Sequence, residues 1–432
     1  MTDHGLNHGI FGKNGKRNFG NIPCNAVPDP NVSKKWRMKP DSSNFPSIRL
    51  AVLGSAEEKH FRKWFPALRS VGIEVHLMSF HTAWEPLEGV VFHPLALPFG
   101  AQKPAGWVYH AASVRATRDK LVEIRPDVLM GSFATHYGAL AARTGFHPFV
   151  LQTWTRDTTV HPFVGRLAAF YHRAVLRAGR TADLITTDGP ALGALFQQNF
   201  PELSAKVLPV TWGIVLSDFE VADRTAARGA LDIPADAVVL THGRGVLPYY
   251  QPMLALPALQ EAIGQDKHLF GVVLTLGQQR TQDVQALLEQ MAAHPRIRVF
   301  DRLLPLEDVR RIWAATDGLI SIPEYDGVSE TLLEGLYAGC TPVLNDIPSN
   351  RAMFPEGRAC YVHATDALAL ADEFRIFVQN LPDYQQNVPA NRQWVANYAS
   401  VESTARQFRS ALEALLKRSE GSSSADFALD KR

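Results

Sequence analysis

From residue 48 onwards, short apolar runs alternate with longer amphipathic stretches. An apolar run at residues 48–53 predicts a strand, and a second at residues 75–79 predicts another. Between them, apolar side chains recur at helical spacing before Gly72, which predicts a helix over residues 61–71. The apolar positions of this helix are Phe61, Trp64, Phe65 and Leu68. Such alternation is typical of a parallel sheet with helices packed against it.

These units fall into two sets along the chain. In the first set, further units are predicted at residues 127–130, 136–144, 149–153, 164–180 and 183–187. In the second set, strands are predicted at residues 238–242, 270–276, 297–300, 318–322 and 341–344. Helices between them are predicted at residues 253–263, 282–292, 306–315 and 329–337. We therefore expect an α/β protein with two doubly wound, Rossmann-like domains, residues 48–220 and 221–417, facing a cleft, with the last helix returning to the first domain.

Length and composition agree with two globular domains between flexible ends. The chain has 432 residues, of which 46% are hydrophobic, and its formal net charge is +1, so a nucleic-acid partner is not expected. Residues 1–47 and 418–432 lack strand or helix periodicity and predict flexible extensions. The first extension is basic, which indicates a solvated tail or, alternatively, contact with an anionic membrane surface or a partner.

The cysteines and the apolar runs indicate a cytoplasmic protein, with peripheral membrane contact as an option. Three scattered cysteines do not form a disulfide framework or a zinc pattern, so a reducing compartment is expected. We find no apolar run with the length of a signal peptide core or a membrane span.

The segment from Pro323 to Val343 carries the most specific pattern. Asp326 and Glu334 are separated by seven residues, and a helix is predicted to begin near Ser329. Gly327 permits close backbone approach, and the amides of Val328 and Ser329 at a helix start favour a diphosphate. The competing interpretation is an ordinary acidic first helical turn.

This segment resembles the signature of family 4 glycosyltransferases, which are retaining enzymes with the GT-B fold. The resemblance implies that a nucleotide-diphosphate sugar, UDP- or GDP-linked, is the donor. It assigns Asp326 to the donor sugar and Glu334 to the ribose hydroxyls, with Glu330 at the lip of the site or on a solvated face. Asp326 is shorter than the family's usual Glu.

A strand followed by Gly243, Arg244 and Gly245 also resembles the family. An arginine there can clamp the diphosphate and offset the charge of the leaving group, so no metal and no other cofactor is expected. The family's lysine, five or six residues later, is replaced by Tyr249 and Tyr250. A second cation, Arg302 or Arg280, is therefore expected to compensate, or activity to be weaker than usual.

Further matches lie in the first domain and indicate the acceptor side. Gly54 and His60 follow the first strand, His136 begins the unit at 136–144, and Trp154 and Asp157 parallel the family's Trp-Gly-Ser-Asp. We expect His136 and Asp157 to act in catalysis and the other three to line the acceptor side. A solvent-exposed histidine and a structural loop cap are the competing interpretations. The Trp212 segment indicates hinge packing.

The resulting prediction is a retaining hexosyltransferase of polysaccharide biosynthesis or a related pathway. Its acceptor is expected to be a glycan, a lipid-linked molecule or a small molecule. A sugar-nucleotide epimerase on the same fold and a non-catalytic GT-B-like binding subunit remain alternatives. Phosphate-loop, dinucleotide-fingerprint and nucleophile-elbow motifs are missing from the sequence, which disfavours kinases, dehydrogenases and serine hydrolases.

Overall fold

The computed structural model describes residues 47–81, 84–97, 106–159, 161–163, 165–220, 223–354 and 357–422. The predicted extension at residues 1–47, with its proposed membrane contact, lies outside the described residues except for Ser47. Residues 423–432 of the predicted tail also lie outside them.

The first lobe contains seven parallel strands. They are β1 Ile48–Leu53, β2 Ile73–Ser79, β3 Val90–Pro94, β4 Val128–Ser132, β5 Phe149–Gln152, β6 Leu184–Thr187 and β7 Val207–Pro209. Their order in the sheet is β3-β2-β1-β4-β5-β6-β7. The helices are α1 Lys59–Ser70, α2 Ala111–Ile124, α3 Gly138–Thr144, α4 Thr155–Thr159, α5 Ala168–Thr181 and α6 Gly189–Asn199.

The second lobe contains six parallel strands in the order β10-β9-β8-β11-β12-β13. They are β8 Val238–His242, β9 Leu269–Leu274, β10 Ile297–Phe300, β11 Gly318–Ser321, β12 Thr341–Asn345 and β13 Cys360–Val362. The helices up to the donor segment are α7 Arg224–Ala230, α8 Pro252–Gln265, α9 Gln282–Ala292, α10 Leu306–Ala315 and α11 Glu330–Ala338. They are followed by α12 Pro348–Met353, α13 Ala367–Gln379, α14 Leu381–Gln385, α15 Val388–Tyr398 and α16 Val401–Ser422.

The predicted fold class, two doubly wound parallel-sheet domains, is confirmed. Each sheet is sandwiched between two apolar cores, because its strands are buried on both faces. In the first sheet β1 lies between β2 and β4, and in the second β8 lies between β9 and β11. Strand order reverses at these points, and ligands of open α/β sheets bind outside the carboxyl ends of the strands there.

The chain crosses between the lobes at two neighbouring places. Ile214 forms a parallel bridge with Ser400, and a Cβ on Gly213 would lie 2.8 Å from the Ser400 backbone. Beyond this crossing, α16 packs on the first lobe, where the Phe408 and Trp64 rings are 5.0 Å apart. The closely packed crossings provide one narrow connection about which the lobes can move.

The structure differs from the predicted elements at several points. It contains elements that were not predicted, among them α2, α6, β7 and β13. Helix α5 begins at Ala168 rather than near residue 164, and α16 continues through Ser422 into the predicted tail. Edge strand β3 was not predicted, because its side chains are mostly half-exposed and give no continuous apolar run. In the part of the chain that the structure describes, no helix combines the length and apolar character that a membrane crossing requires.

Candidate functional site

Arg244 lies just after β8, between two glycines. A Cβ on Gly243 would lie 2.6 Å from the Trp313 ring, and Gly245 has a φ of +75°. The guanidinium is almost fully buried: its Nη2 donates to Asp326 Oδ2 and its Nη1 donates to Ser329 Oγ. The structure thus brings together the arginine and the loop that carries the first acidic position of the signature.

The loop of Asp326, Gly327, Val328 and Ser329 leads directly into α11; we call it the donor loop. The Gly327 N–H donates to Asp326 Oδ1 at 2.9 Å, and Ser329 Oγ accepts from the Leu332 N–H at 3.1 Å as the helix N-cap. Unpaired amides and the helix dipole favour an anion at such a start. The Arg244 side chain and the α11 N-terminus therefore present positive potential to the same place.

Several buried polar atoms around the donor loop lack a hydrogen-bond partner among the described residues. They are Arg244 Nε, both ring nitrogens of His242, and Asp188 Oδ1. Asp188 approaches from the first lobe, because a Cβ on Gly327 would lie 3.3 Å from its Oδ2. Buried polar groups normally have partners, so this set indicates a place where a polar ligand binds.

Burial shifts the pKa values of two of these groups. Burial raises the pKa of Asp188 to about 6, a hydrogen bond from Thr211 acts against that rise, and the charges of Glu330 and Asp326 add to it. Burial and the charge of Arg244 lower the pKa of His242 to about 4. At neutral pH, His242 is therefore uncharged beside Arg244.

The two tyrosines that replace the family's lysine both pack at this site. The Tyr250 ring lies 4.6 Å from the Arg244 guanidinium carbon, and Tyr249 stacks on Tyr325 with ring centroids 5.4 Å apart. Each proposed substitute cation has an acidic neighbour of its own. Arg280 forms an ion pair with Asp301, and the Arg302 side chain is 71% exposed and lies 4.0 Å from Asp308.

Helix α1 of the first lobe meets the start of α11 through charged side chains. Glu330 Oε1 lies 2.5 Å from His60 Nδ1 and forms an ion pair with Lys63. We call His60, Lys63 and Glu330 the inter-lobe clasp. Burial lowers the pKa of His60, but the hydrogen bond and charge of Glu330 outweigh it and raise the pKa above 6.5. Burial raises the pKa of Glu330, but His60 and Lys63 hold it below the ordinary value.

Aromatic rings surround His60 on its first-lobe side. His60 stacks on Trp212, with ring centroids 5.2 Å apart and an interplanar angle of 19°. Trp154 lies 4.9 Å from Trp212, and its Nε1 donates to Ser132 Oγ at 3.0 Å. Gly54, at the end of β1, leaves room for Phe61, since a Cβ there would lie 2.9 Å from that ring. Trp212 therefore contributes to the cleft as well as to the hinge.

Asp157 has a different environment from a solvent-facing catalytic acid. Its side chain is fully buried, and its oxygens accept from the Trp154 N–H at 2.6 Å and from the Ala134 N–H. Burial raises its pKa to about 8, while these backbone hydrogen bonds act against the rise. Asp157 thus connects the chain segments that follow β4 and β5.

His136 lies in a π-helical turn, Phe133–Tyr137, that follows β4. Its Nδ1 is 3.0 Å from Thr135 Oγ1, which is also 3.1 Å from His161 Nδ1. Burial lowers the pKa of His136, and the charges of Arg156 and His81 lower it further. His136 is half-buried and lies with other basic groups on the first-lobe side of the cleft.

Comparison with known proteins identifies the fold. Residues 49–188 match the family model described as glycosyl transferase 4-like. Sucrose-phosphate synthase from Thermosynechococcus elongatus superposes with a TM-score of 0.70, covering 86% of this chain and 100% of that one at 14% identity. The chain has the GT-B glycosyltransferase fold. Its resemblance to family 4 glycosyltransferases is confirmed.

Other GT-B structures agree. A glycosyltransferase from Rickettsia africae has a TM-score of 0.69 at 13% identity, covering 86% of this chain and 100% of that one. Anabaena HepE in complex with UDP-glucose has a TM-score of 0.67 at 13% identity, covering 85% and 100%. No functionally curated protein matches the sequence significantly.

A cavity of about 300 Å³ lies in the second GT-B lobe. Gln251, Ile322 and Asn345 are among its lining residues. The Asn345 side chain donates to the Pro323 carbonyl at 2.6 Å, and that of Gln251 to the Ile322 carbonyl at 2.7 Å. These contacts support the segment that leads into the donor loop.

Sequence reasoning missed several residues of the GT-B cleft. They are Lys63, Arg156, His161, Asp188 and His242. Asp188 carried a usable signal, since it is a carboxylate at the end of a strand and is followed by a glycine. Glu334, which was predicted, is half-buried one turn beyond Glu330, and burial together with the Glu330 charge raises its pKa to about 7.

Proposed function

We propose that this chain transfers a sugar from a UDP- or GDP-linked donor to an acceptor hydroxyl, with retention at the anomeric carbon and without a metal. The observation that carries the proposal is the joint position of Arg244 and the donor loop at the start of α11. An arginine and a helix N-terminus facing one another match a diphosphate in charge and in hydrogen bonding.

In this proposal, Arg244 and the amides of Val328 and Ser329 bind the diphosphate. The acceptor oxygen bonds to the anomeric carbon as the bond from that carbon to the phosphate oxygen breaks. The electron pair of the broken bond remains on the diphosphate, and the acceptor proton passes to a phosphate oxygen on the same face. Positive groups aimed at the departing oxygen lower the barrier by stabilising its developing charge.

The two signature carboxylates contact different parts of the donor. Asp326 accepts hydrogen bonds from sugar hydroxyls, and Glu334 accepts from the ribose hydroxyls. Before the donor binds, Asp326 occupies one end of the Arg244 guanidinium. Donor binding therefore exchanges the Asp326 carboxylate for a phosphate at that end of the guanidinium.

The first lobe provides the acceptor side. In the proposal, Gly54, His60 and Trp154 line it, and the His60 and Trp154 rings are 5.3 Å apart. His136 belongs to the same lobe. Asp157 is a positioning residue in this account, because both of its oxygens are engaged by backbone amides. A glycan, lipid-linked or small-molecule acceptor of polysaccharide biosynthesis fits this arrangement. The inter-lobe clasp closes the cleft over the donor and excludes water.

The test is transfer by the purified chain from a panel of UDP- and GDP-sugars, with and without a chelator. We expect free nucleoside diphosphate and a product with the donor's anomeric configuration, unaffected by chelation. Recovery of an epimerised sugar nucleotide would identify an epimerase instead. Donor binding without any turnover would identify a binding subunit, the alternative favoured by the missing lysine.

A further inference from the structure

Three basic side chains lie together on the first-lobe side of the cleft: Arg156, His136 and His161. We call them the basic cluster. The Arg156 carbonyl accepts from the His161 N–H at 2.8 Å, and the His136 and His161 rings are 6.1 Å apart. The Arg156 side chain is exposed, and both histidines are half-buried.

Thr135 holds the two histidines in one orientation. Both Nδ1 atoms lie within about 3 Å of its hydroxyl oxygen, His136 at 3.0 Å and His161 at 3.1 Å. The Thr135 carbonyl in turn accepts from the Tyr109 hydroxyl at 2.6 Å. In each ring Nδ1 is engaged by the Thr135 hydroxyl, so Nε2 is the nitrogen that can bind a ligand. Neither Nε2 has a partner among the described residues.

No carboxylate balances this charge within the described part of the chain. The pKa of each histidine is lowered by burial and by the Arg156 charge, and no acidic group acts against that shift. The nearest carboxyl group in sequence, Asp157, is fully buried and engaged by backbone amides. His81 and Tyr171 also face the histidines, and neither is a carboxylate. The cluster is therefore complementary to an anion.

The basic cluster also adjoins the reacting centre. Thr155, next to Arg156, lies so close to the donor loop that a Cβ on Gly327 would be 3.2 Å from its hydroxyl oxygen. Burial and the Glu324 charge raise the pKa of Tyr325, and the Arg156 charge acts against that rise. Arg156 thus lies between the histidine pair and the residue that precedes Asp326.

We propose that the acceptor carries a phosphate monoester, and that Arg156, His136 and His161 bind it. This inference rests on the proposed transferase function and specifies its acceptor. A phosphoryl group offers three acceptor oxygens and up to two negative charges, which match one guanidinium and the Nε2–H donors of two histidines. A soluble sugar phosphate and a lipid headgroup both present this phosphate chemistry.

Thr135 allows the histidines to change charge together. With an anion bound, each protonated ring donates its Nδ1–H to one lone pair of the Thr135 hydroxyl oxygen and its Nε2–H to the phosphate. Without the anion, the Thr135 hydroxyl donates a hydrogen bond to Nδ1 of one ring, and that ring is neutral. Phosphate binding therefore draws protons onto His136 and His161.

The first experiment measures the pKa of each imidazole by NMR, in inorganic phosphate and in chloride at equal ionic strength. We expect both values to rise by about one unit or more in phosphate, as an opposite charge within hydrogen-bonding distance produces. The Arg156→Gln variant should weaken phosphate binding at least about tenfold. Arg177→Gln, which removes an exposed arginine on α5, is the matched control and should leave it unchanged. Equal titration in phosphate and chloride would overturn the proposal.

The second experiment identifies the source of the phosphate. Transfer is measured to matched pairs of hexoses and hexose 6-phosphates, and binding to phosphatidylcholine vesicles with and without phosphatidic acid. A preference for hexose 6-phosphates over hexoses, or for vesicles with phosphatidic acid over those without, supports the proposal if Arg156→Gln removes it. Which of the two is preferred identifies the source of the phosphate. Equal transfer to hexoses and their phosphates, without selective vesicle binding, contradicts it but leaves the transferase function intact. Phosphate-dependent histidine titration without transfer from any donor contradicts the transferase function instead.

Discussion

At Arg244, one guanidinium contacts two groups of the donor loop and lies over the ring of Tyr250. The lysine of the family pattern is replaced by Tyr249 and Tyr250, so in the proposed mechanism the Tyr250 ring, rather than a second cation, supports Arg244. The charge available to the leaving group therefore depends on this residue more than the family pattern implies.

Replacing Arg244 should remove most of the activity. We expect Arg244→Ala to lower turnover at least about a hundredfold, because a preorganised donor to the leaving group is lost. Glu334→Ala should cause a loss of similar size through the ribose contact. Steady-state kinetics on both variants, with Arg177→Ala as an exposed control, measures this. Near-normal turnover in Arg244→Ala would remove the arginine from the mechanism.

Replacing Asp326 should separate binding of the diphosphate from transfer of the sugar. In Asp326→Asn the carboxylate no longer competes for the guanidinium, so affinity for UDP or GDP should stay equal or rise by up to about tenfold. Turnover should fall, because the sugar loses a charged hydrogen-bond acceptor. Calorimetry and kinetics on one protein preparation check both. If Asp326→Asn lowered nucleotide affinity as much as Arg244→Ala does, the carboxylate would not be competing with the diphosphate for the Arg244 guanidinium.

At the scale of elements, the start of α11 combines helix capping with ligand binding in one residue. Ser329 Oγ accepts from the Leu332 N–H and from Arg244. Helix α9 has a comparable cap without a ligand role, in which Thr281 accepts from the Val284 N–H. The two helices therefore form a matched pair for testing.

Ser329→Ala and Thr281→Ala should each destabilise the protein by about 1 kcal/mol through loss of an N-cap. Only Ser329→Ala should also weaken nucleotide binding, because only that hydroxyl orients Arg244. Urea unfolding and nucleotide titration of both variants separate the two effects. Equal nucleotide affinity in the two variants would show that Ser329 acts as a cap alone.

The sequence predicts the strands and helices more completely than it predicts the residues of the donor site. Largely buried strands, such as β1 and β8, are predicted with their observed ends, because each contains a short apolar run. Asp326 and Glu334 were found because their spacing is local. Asp188 and Lys63 reach the cleft from other elements, so their proximity to the donor loop depends on the folded arrangement of the lobes.

At the scale of the whole molecule, the inter-lobe clasp links closure of the cleft to pH. The raised pKa of His60 means that its contribution is complete below 6.5, the unfolded value, and is lost as pH rises through the folded value. The lowered pKa of Glu330 means that its contribution is complete above 4.5 and is lost as pH falls through its lower folded value. The clasp is therefore strongest between these two pH values.

We expect the lobes to be more closed near about pH 6 than at a pH above the raised pKa of His60, where the ring is neutral. The difference should be about 1 kcal/mol or less, since both side chains are more than a quarter exposed and Lys63 keeps its pair with Glu330. Small-angle scattering at the two pH values measures the degree of lobe closure. His60→Gln should abolish the pH dependence, and the exposed His268→Gln should keep it. A pH dependence that persists in His60→Gln would assign closure to other groups.

The most direct test of the account is a crystal structure of the chain with UDP or GDP bound. The account predicts that the diphosphate lies within hydrogen-bond distance of the Arg244 guanidinium and of the Val328 and Ser329 amides, with Asp326 displaced from the arginine. A nucleotide bound elsewhere, with the Arg244–Asp326 ion pair intact, would contradict it.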